Sequence, residues 1–111
     1  MFTTKSQRIQ TLVDLNQIPG LCQRWKIKEL AIFGSALRDD FNPDQSDVDL
    51  LISFTEDAHW TLFDWVDMQD DFEQIFHRKV DLVSRRGIED SQNVNRRESI
   101  LNSSQVIYVA P

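Results

Sequence analysis

Three short apolar runs restrict the fold of this 111-residue chain more than any other feature of it. They are Glu29 to Phe33, Asp47 to Phe54 and Lys79 to Ser84. Each is too short for a core helix and is bounded by glycine, turn or polar residues, so each reads as a strand. The stretches between them have helical spacing. Lys5 to about Gln17 suits a helix with Ile9, Leu12 and Val13 inward, ended by Pro19-Gly20, and a short helix carrying Leu21 and Trp25 should follow. A further helix is expected to begin over Ser35 to Asp39, ahead of turn chemistry at Asn42, Pro43, Asp44, Gln45 and Ser46. Thr61 with Asp64 three residues on forms a capping box, and Trp65, Met68, Phe72, Ile75 and Phe76 continue at helical spacing as an inward stripe. Ser91 to Asn102 reads as a helix with Val94 and Leu101 inward, and Gln105 to Val109 as a last strand. Gly20, Gly34 and Gly87 each fall where an element should start or stop. The pattern predicts one α/β (α+β) domain over residues 1–111, a small mixed sheet flanked by helices.

At 41% hydrophobic residues the chain can fill a core, yet no apolar stretch approaches the roughly 20 residues of a spanning helix. Met1 to Gln10 is polar and lacks the apolar centre of a secretory signal, so a cytoplasmic location is expected. Cys22 is the only cysteine and reads as a small buried hydrophobe. The net charge of -6 argues against long DNA or RNA as a partner, because nucleic-acid affinity rests on lysine and arginine that neutralise phosphates. The charge is unevenly spread. Glu56 to Glu73 is strongly acidic, whereas Arg78, Lys79, Arg85, Arg86, Arg96 and Arg97 crowd the later part.

Asp47 and Asp49 stand two apart on a predicted strand, so the pleat sends both carboxylates to one face while Val48, Leu50, Ile52 and Phe54 take the other. Two carboxylates about 5 Å apart repel by roughly 3 kcal/mol at an effective dielectric of about 20, a cost that a cation offsets. Oxygen donors alone suit Mg2+ or Mn2+. Upstream, Gly34-Ser35 joins an apolar strand to a helix, where free backbone N–H groups attract phosphate. Ser35 is able to cap that helix and to donate its hydroxyl to a phosphate oxygen. Arg38, three residues on, is placed either to reach a phosphate or to pair with a nearby aspartate. His59 and His77 have no partner at metal-ligand spacing and read as ordinary polar positions.

Together these residues read Gly34-Ser35-x11-Asp47-x-Asp49, which resembles the signature of the nucleotidyltransferase (DNA polymerase beta-like) superfamily. Ile32 to Arg38 leading to Ser46 through Leu51 is similar to the minimal nucleotidyltransferases, the MNT or MntA-type antitoxins, and the likeness runs from about Glu29 to Val83. One departure is that Arg38 is followed by Asp39 and Asp40 where the family often has Arg-Gly. The resemblance implies a nucleotidyltransferase-like fold and a third carboxylate from a neighbouring strand, a place that Asp81 occupies. It also implies that Asp47, Asp49 and Asp81 hold Mg2+ or Mn2+ and carry catalysis, that Gly34, Ser35 and Arg38 bind the nucleotide, and that ATP is the substrate. By the same resemblance, AMP would pass to a tyrosine hydroxyl of a HEPN-family toxin, the two proteins forming a hetero-oligomer. The alternative is a binding module that neutralises a partner by contact, with an idle metal site. Three facing acids favour the enzyme, since binding alone places no demand on them.

Overall fold

The computed structural model describes residues 13–34 and 47–111. The proposed first helix over Lys5 to about Gln17 lies mostly outside these residues, as does the one beginning at Ser35. Within them, Val13 is buried as expected, and a single 3-10 turn over Leu15–Gln17 leads into helix α1, Ile18–Arg24. Here the structure corrects the sequence reading, because Pro19-Gly20 opens this helix and does not end one. Proline is tolerated in the first turn, where its missing N–H would have had no intrahelical partner.

A mixed four-stranded sheet of order β3-β2-β1-β4 follows, with β1 at Ile27–Phe33, β2 at Val48–Phe54, β3 at Val80–Ser84 and β4 at Gln105–Val109. β1 runs antiparallel to β2 and β4, while β2 and β3 are parallel. β1 starts two residues earlier than its apolar pattern suggests, and a bulge between Ile27 and Glu29 turns Ile27 to the same side as Leu30 and Ile32. The connection from β2 to β3 is α2, Leu62–Phe76, whose Thr61–Asp64 capping box forms in both directions. Thr61 Oγ1 accepts from the Asp64 N–H at 3.2 Å, and the Thr61 N–H donates to Asp64 Oδ2 at 2.9 Å. Met68, Phe72 and Phe76 are the fully buried members of the expected stripe, and Trp65 and Ile75 pack at its margin.

After β3 comes α3, Arg85–Glu89, then α4, Val94–Ser103. Gly87 lies within α3, a helix absent from the sequence reading. In α4 the predicted inward residue Val94 is 47% exposed, while Ile100 is buried and Leu101 partly so. Asn93 fixes this phase by accepting the Arg96 N–H at 3.1 Å, which places Val94 in the first turn, outside the contact with the sheet.

The sheet separates two apolar clusters. On one face α1 and α2 cover Leu30, Ile32, Val48, Leu50, Ile52 and Val80, with Cys22, Phe72 and Phe76 packed on them. Burial pushes the Cys22 thiol up to about 12, so it stays an uncharged hydrophobe. On the other face Ile88 of α3 and Ile100 of α4 pack on Ala31, Phe33 and Leu51. No described helix is long and apolar enough to cross a membrane.

Candidate active site

The second face becomes polar at one end of the sheet. Asp49 lies one residue inside β2 and pairs in register with Asp81 of β3. Registered residues on neighbouring parallel strands point to the same side, so the two carboxylates project together past Leu51 and Val83. Asp49 also pairs with Phe33 at the end of β1, which brings Gly34 alongside. Asp47 immediately precedes β2, and the adjoining Val48 N–H donates to the Lys79 carbonyl at 3.0 Å, holding the entries of β2 and β3 together.

Gly34 is required here for two reasons. Its φ of +76° is left-handed, where a side chain is disfavoured, and a Cβ would collide with Asp49 Oδ2 and sit 3.4 Å from Asp49 Cγ. The bare backbone and the Asp49 carboxylate therefore share one small space, which suits a phosphate that must approach both a main chain and an acid-held cation. Ser35 and Arg38, the other predicted nucleotide-binding residues, lie outside the described residues.

α2 secures the position of Asp81 from the far side of β3. β3 is an edge strand, so groups on its outer side lack a strand partner. Gln69 Nε2 donates to the Val80 carbonyl at 2.8 Å, and the Val80 N–H donates to Glu73 Oε2 at 3.0 Å. Two side chains one helical turn apart thus satisfy both main-chain groups of the residue before Asp81. Sequence reading missed this clamp, although Gln69 and Glu73 at i, i+4 beside the apolar stripe were its visible trace.

Gly34, Asp49 and Asp81 open onto a cleft of about 550 Å³. Phe33, Leu82 and Val83 also line it, and α4 contributes a wall through Arg96, Ser99, Ile100 and Ser103. The sequence gives no sign of that wall, because Arg96 and Arg97 read there only as parts of a basic block. Among the described residues, no three His, Cys, Asp or Glu side chains are gathered closely enough to hold a metal ion as a group. What is in place is the Asp49–Asp81 pair, an oxygen-only donor set of the kind that magnesium shares with water and phosphate.

Comparisons with known proteins agree with this geometry. A family model described as a nucleotidyltransferase domain matches residues 16–107. The chain is similar to a candidate protein adenylyltransferase of Methanocaldococcus jannaschii, with 31% identity over an 86-residue alignment that covers 73% of this chain and 96% of that protein. It superposes on a solved candidate minimal nucleotidyltransferase with a TM-score of 0.64 at 26% identity, covering 93% of this chain and 95% of the other. A chain in the complex of a tri-AMPylated Shewanella oneidensis HEPN toxin with an MNT antitoxin shares the fold, with a TM-score of 0.57 at 16% identity over 86% of this chain and 70% of that one. Because the family match takes in the end of β1 and both acid-bearing strands, the chain belongs to the nucleotidyltransferase family and is itself a nucleotidyltransferase.

Proposed function

We propose that this enzyme transfers AMP from ATP to a hydroxyl of a partner protein, a tyrosine of a HEPN-family toxin, and thereby acts as its antitoxin in the cytoplasm. The observation that carries the reading is the registered Asp49–Asp81 pair beside a glycine that admits no Cβ. The names of the relatives supply the chemistry and the partner: protein adenylylation for the archaeal protein, and a HEPN toxin for the complex.

In this reading Asp49 and Asp81 would hold magnesium or manganese, with Asp47 as a third ligand drawn in when the ion binds, and the ion would supply positive charge to offset that of the phosphates. Asp81, on the outer strand, faces the acceptor and takes up the proton of the attacking hydroxyl. Gly34, with Ser35 and Arg38, receives the phosphates of ATP through main-chain N–H groups, a hydroxyl and a guanidinium. The oxygen of the acceptor forms a bond to the α-phosphorus as the bond to the β-phosphate oxygen breaks, and pyrophosphate leaves. A protein acceptor also accords with the surface of α2. Leu62, Phe63 and Val66 are exposed by 77%, 82% and 51%, within a segment from Glu56 to Glu73 that holds no lysine or arginine. Such a patch suits a basic protein surface.

The test mixes the chain with a HEPN-family partner, ATP and magnesium and weighs the partner by intact mass spectrometry. The expected result is a gain in whole AMP units that disappears in chelator. Neutralisation of the partner without any mass change would replace this reading with the contact-only one.

A further inference from the structure

We infer that Arg96 binds the triphosphate of the nucleotide donor from the wall of the cleft that faces the two aspartates. The inference rests on the nucleotidyl-transfer reading and adds to it a positioning residue on an element that lies beyond the acid-bearing strands.

α4 presents Arg96, Ser99, Ile100 and Ser103 to the cleft, at spacings of i, i+3, i+4 and i+7, so they form one stripe of the helix. Ile100 anchors the stripe, being buried against the sheet beside Phe33 and Leu51. The Asn93 cap, bonded to the Arg96 N–H, sets where the helix begins and hence which way the stripe turns. Arg96 to Ser103 spans roughly 10 Å at about 1.5 Å per residue, enough to run alongside a polyphosphate chain.

The neighbouring cations are committed elsewhere. Arg85 is tied to Glu29 at 3.1 Å and to Glu89 at 3.0 Å. Arg97, next in sequence, turns away and donates to the main-chain carbonyls of Glu89 and Ser91 at 3.5 and 3.3 Å. Arg24 and Lys26 pair with Asp71 and Asp57. Arg96 is the cation among the described residues that line the cleft, and its guanidinium makes no ion pair there with the two aspartates. An arginine beside two acids that it does not neutralise is available to an anion entering between them. A cation held by Asp49 and Asp81 and a guanidinium on α4 would then grip the same polyphosphate from opposite sides, with Ser99 and Ser103 as hydroxyl donors along its length. A bare acceptor hydroxyl, being uncharged, has no comparable use for the guanidinium.

Calorimetry with a non-hydrolysable ATP analogue and magnesium tests this on the full chain, using Arg96→Ala, Arg96→Lys and Arg86→Ala. Arg86 lines a different cleft, so its variant makes the same change in net charge away from the aspartates. The expected result is a loss of about tenfold or more in affinity for Arg96→Ala, partial recovery with Arg96→Lys, and little change with Arg86→Ala. In turnover, the loss should fall on KM for ATP. Wild-type affinity in Arg96→Ala, an equal loss in Arg86→Ala, or a change confined to KM for the acceptor would each overturn the inference. No binding by the wild-type chain would instead remove the nucleotidyl-transfer reading, and this inference with it.

Discussion

The two faces of the sheet are built to different standards. On the face under α1 and α2, the described residues contribute fourteen buried side chains, among them Phe72, Phe76, Leu30 and Ile52 with no exposure beyond 1%. The opposite face contributes five, and along β2 it passes within two residues from buried Leu51 to the half-buried carboxylate of Asp49. β2 shows the contrast within one strand, since Val48, Leu50 and Ile52 serve the large core while Asp49 and Leu51 serve the face with the cleft. Stability is concentrated on one side, which leaves the other free to carry acids that oppose one another. Substitutions should therefore separate cleanly into those that abolish chemistry at constant stability and those that do the reverse.

The largest effect expected is on chemistry. Asp49→Asn or Asp81→Asn keeps the side-chain shape and removes the charge that, under the proposed function, would hold a metal ion, whose transition-state stabilisation would be worth several kcal/mol. Transfer should fall by about 10³-fold or more. For Asp81→Asn the thermal stability of the metal-free protein should hold or rise, because one of two facing like charges is gone. Partner binding, measured separately, should be nearly unchanged. A melting temperature that dropped along with activity would show that this face contributes to the fold more than its small cluster suggests.

Phe72→Ala is the reciprocal case. A fully buried phenylalanine in the larger cluster should cost about 3–5 kcal/mol on truncation. Denaturant titration measures that cost directly. Protein that remains folded, at low temperature and without denaturant, should retain magnesium-dependent transfer, since Phe72 touches the face away from the cleft. A specific loss of turnover in the folded fraction would mean that the two faces are coupled through β3.

How far the division was legible in the sequence depends on which signal each part left. The alternation in β2 was readable, because Asp47, Asp49 and the apolar residues between them obey the two-residue period of a strand. Asp81 is legible only through the family resemblance, which expects a third carboxylate on a neighbouring strand, and its register with Asp49 puts both acids on one face. Pro19-Gly20 misled, since the same pair stops a helix at one end and starts it at the other, and only tertiary context decides. Val94 misled because the apolar pattern of α4 is weak; the choice between Val94 and Ile100 rests on the Asn93 cap, whose bond to Arg96 is a fact of geometry. The role of α4 as a cleft wall could not be read at all, because nothing local says that this helix folds back over β1 and β3. Ser35 and Arg38 lie outside the described residues, so their assignments stay with the proposal.

Gly34→Ala sharpens the comparison at the border of the two regimes. An alanine held at a left-handed φ costs roughly 1–2 kcal/mol, and its Cβ must also displace the Asp49 carboxylate. Stability should fall by about that amount. Turnover should fall by about tenfold or more, as the displaced group is the one that the cleft is built around. Parallel measurement of unfolding free energy and kcat would reveal an ordinary loop glycine if the two losses were equal.

The smallest expected effect lies at the start of α2, where Thr61→Ala removes one half of the capping box. The Thr61 hydroxyl oxygen accepts the Asp64 N–H at 3.2 Å, so its loss leaves one N–H of the first helical turn to water. Asp64 retains its bond from the Thr61 main-chain N–H at 2.9 Å and its favourable place near the positive end of the helix dipole. Both groups are exposed, so solvent substitutes for much of what is lost, and the cost should be about 1 kcal/mol. The helix it caps carries Phe72 into the large core and, through Gln69 and Glu73, clamps β3 one residue before Asp81. The clamp lies two to three turns from the cap, and Met68 and Phe72 are buried between the two ends, so fraying of the first turn should stop short of it. Turnover at saturating ATP should accordingly match the wild type while the chemical-denaturation midpoint moves down. A matching fall in kcat would show that the position of Asp81 depends on the whole length of α2, and that the stable face and the reactive face are joined by that helix more tightly than their separate clusters indicate.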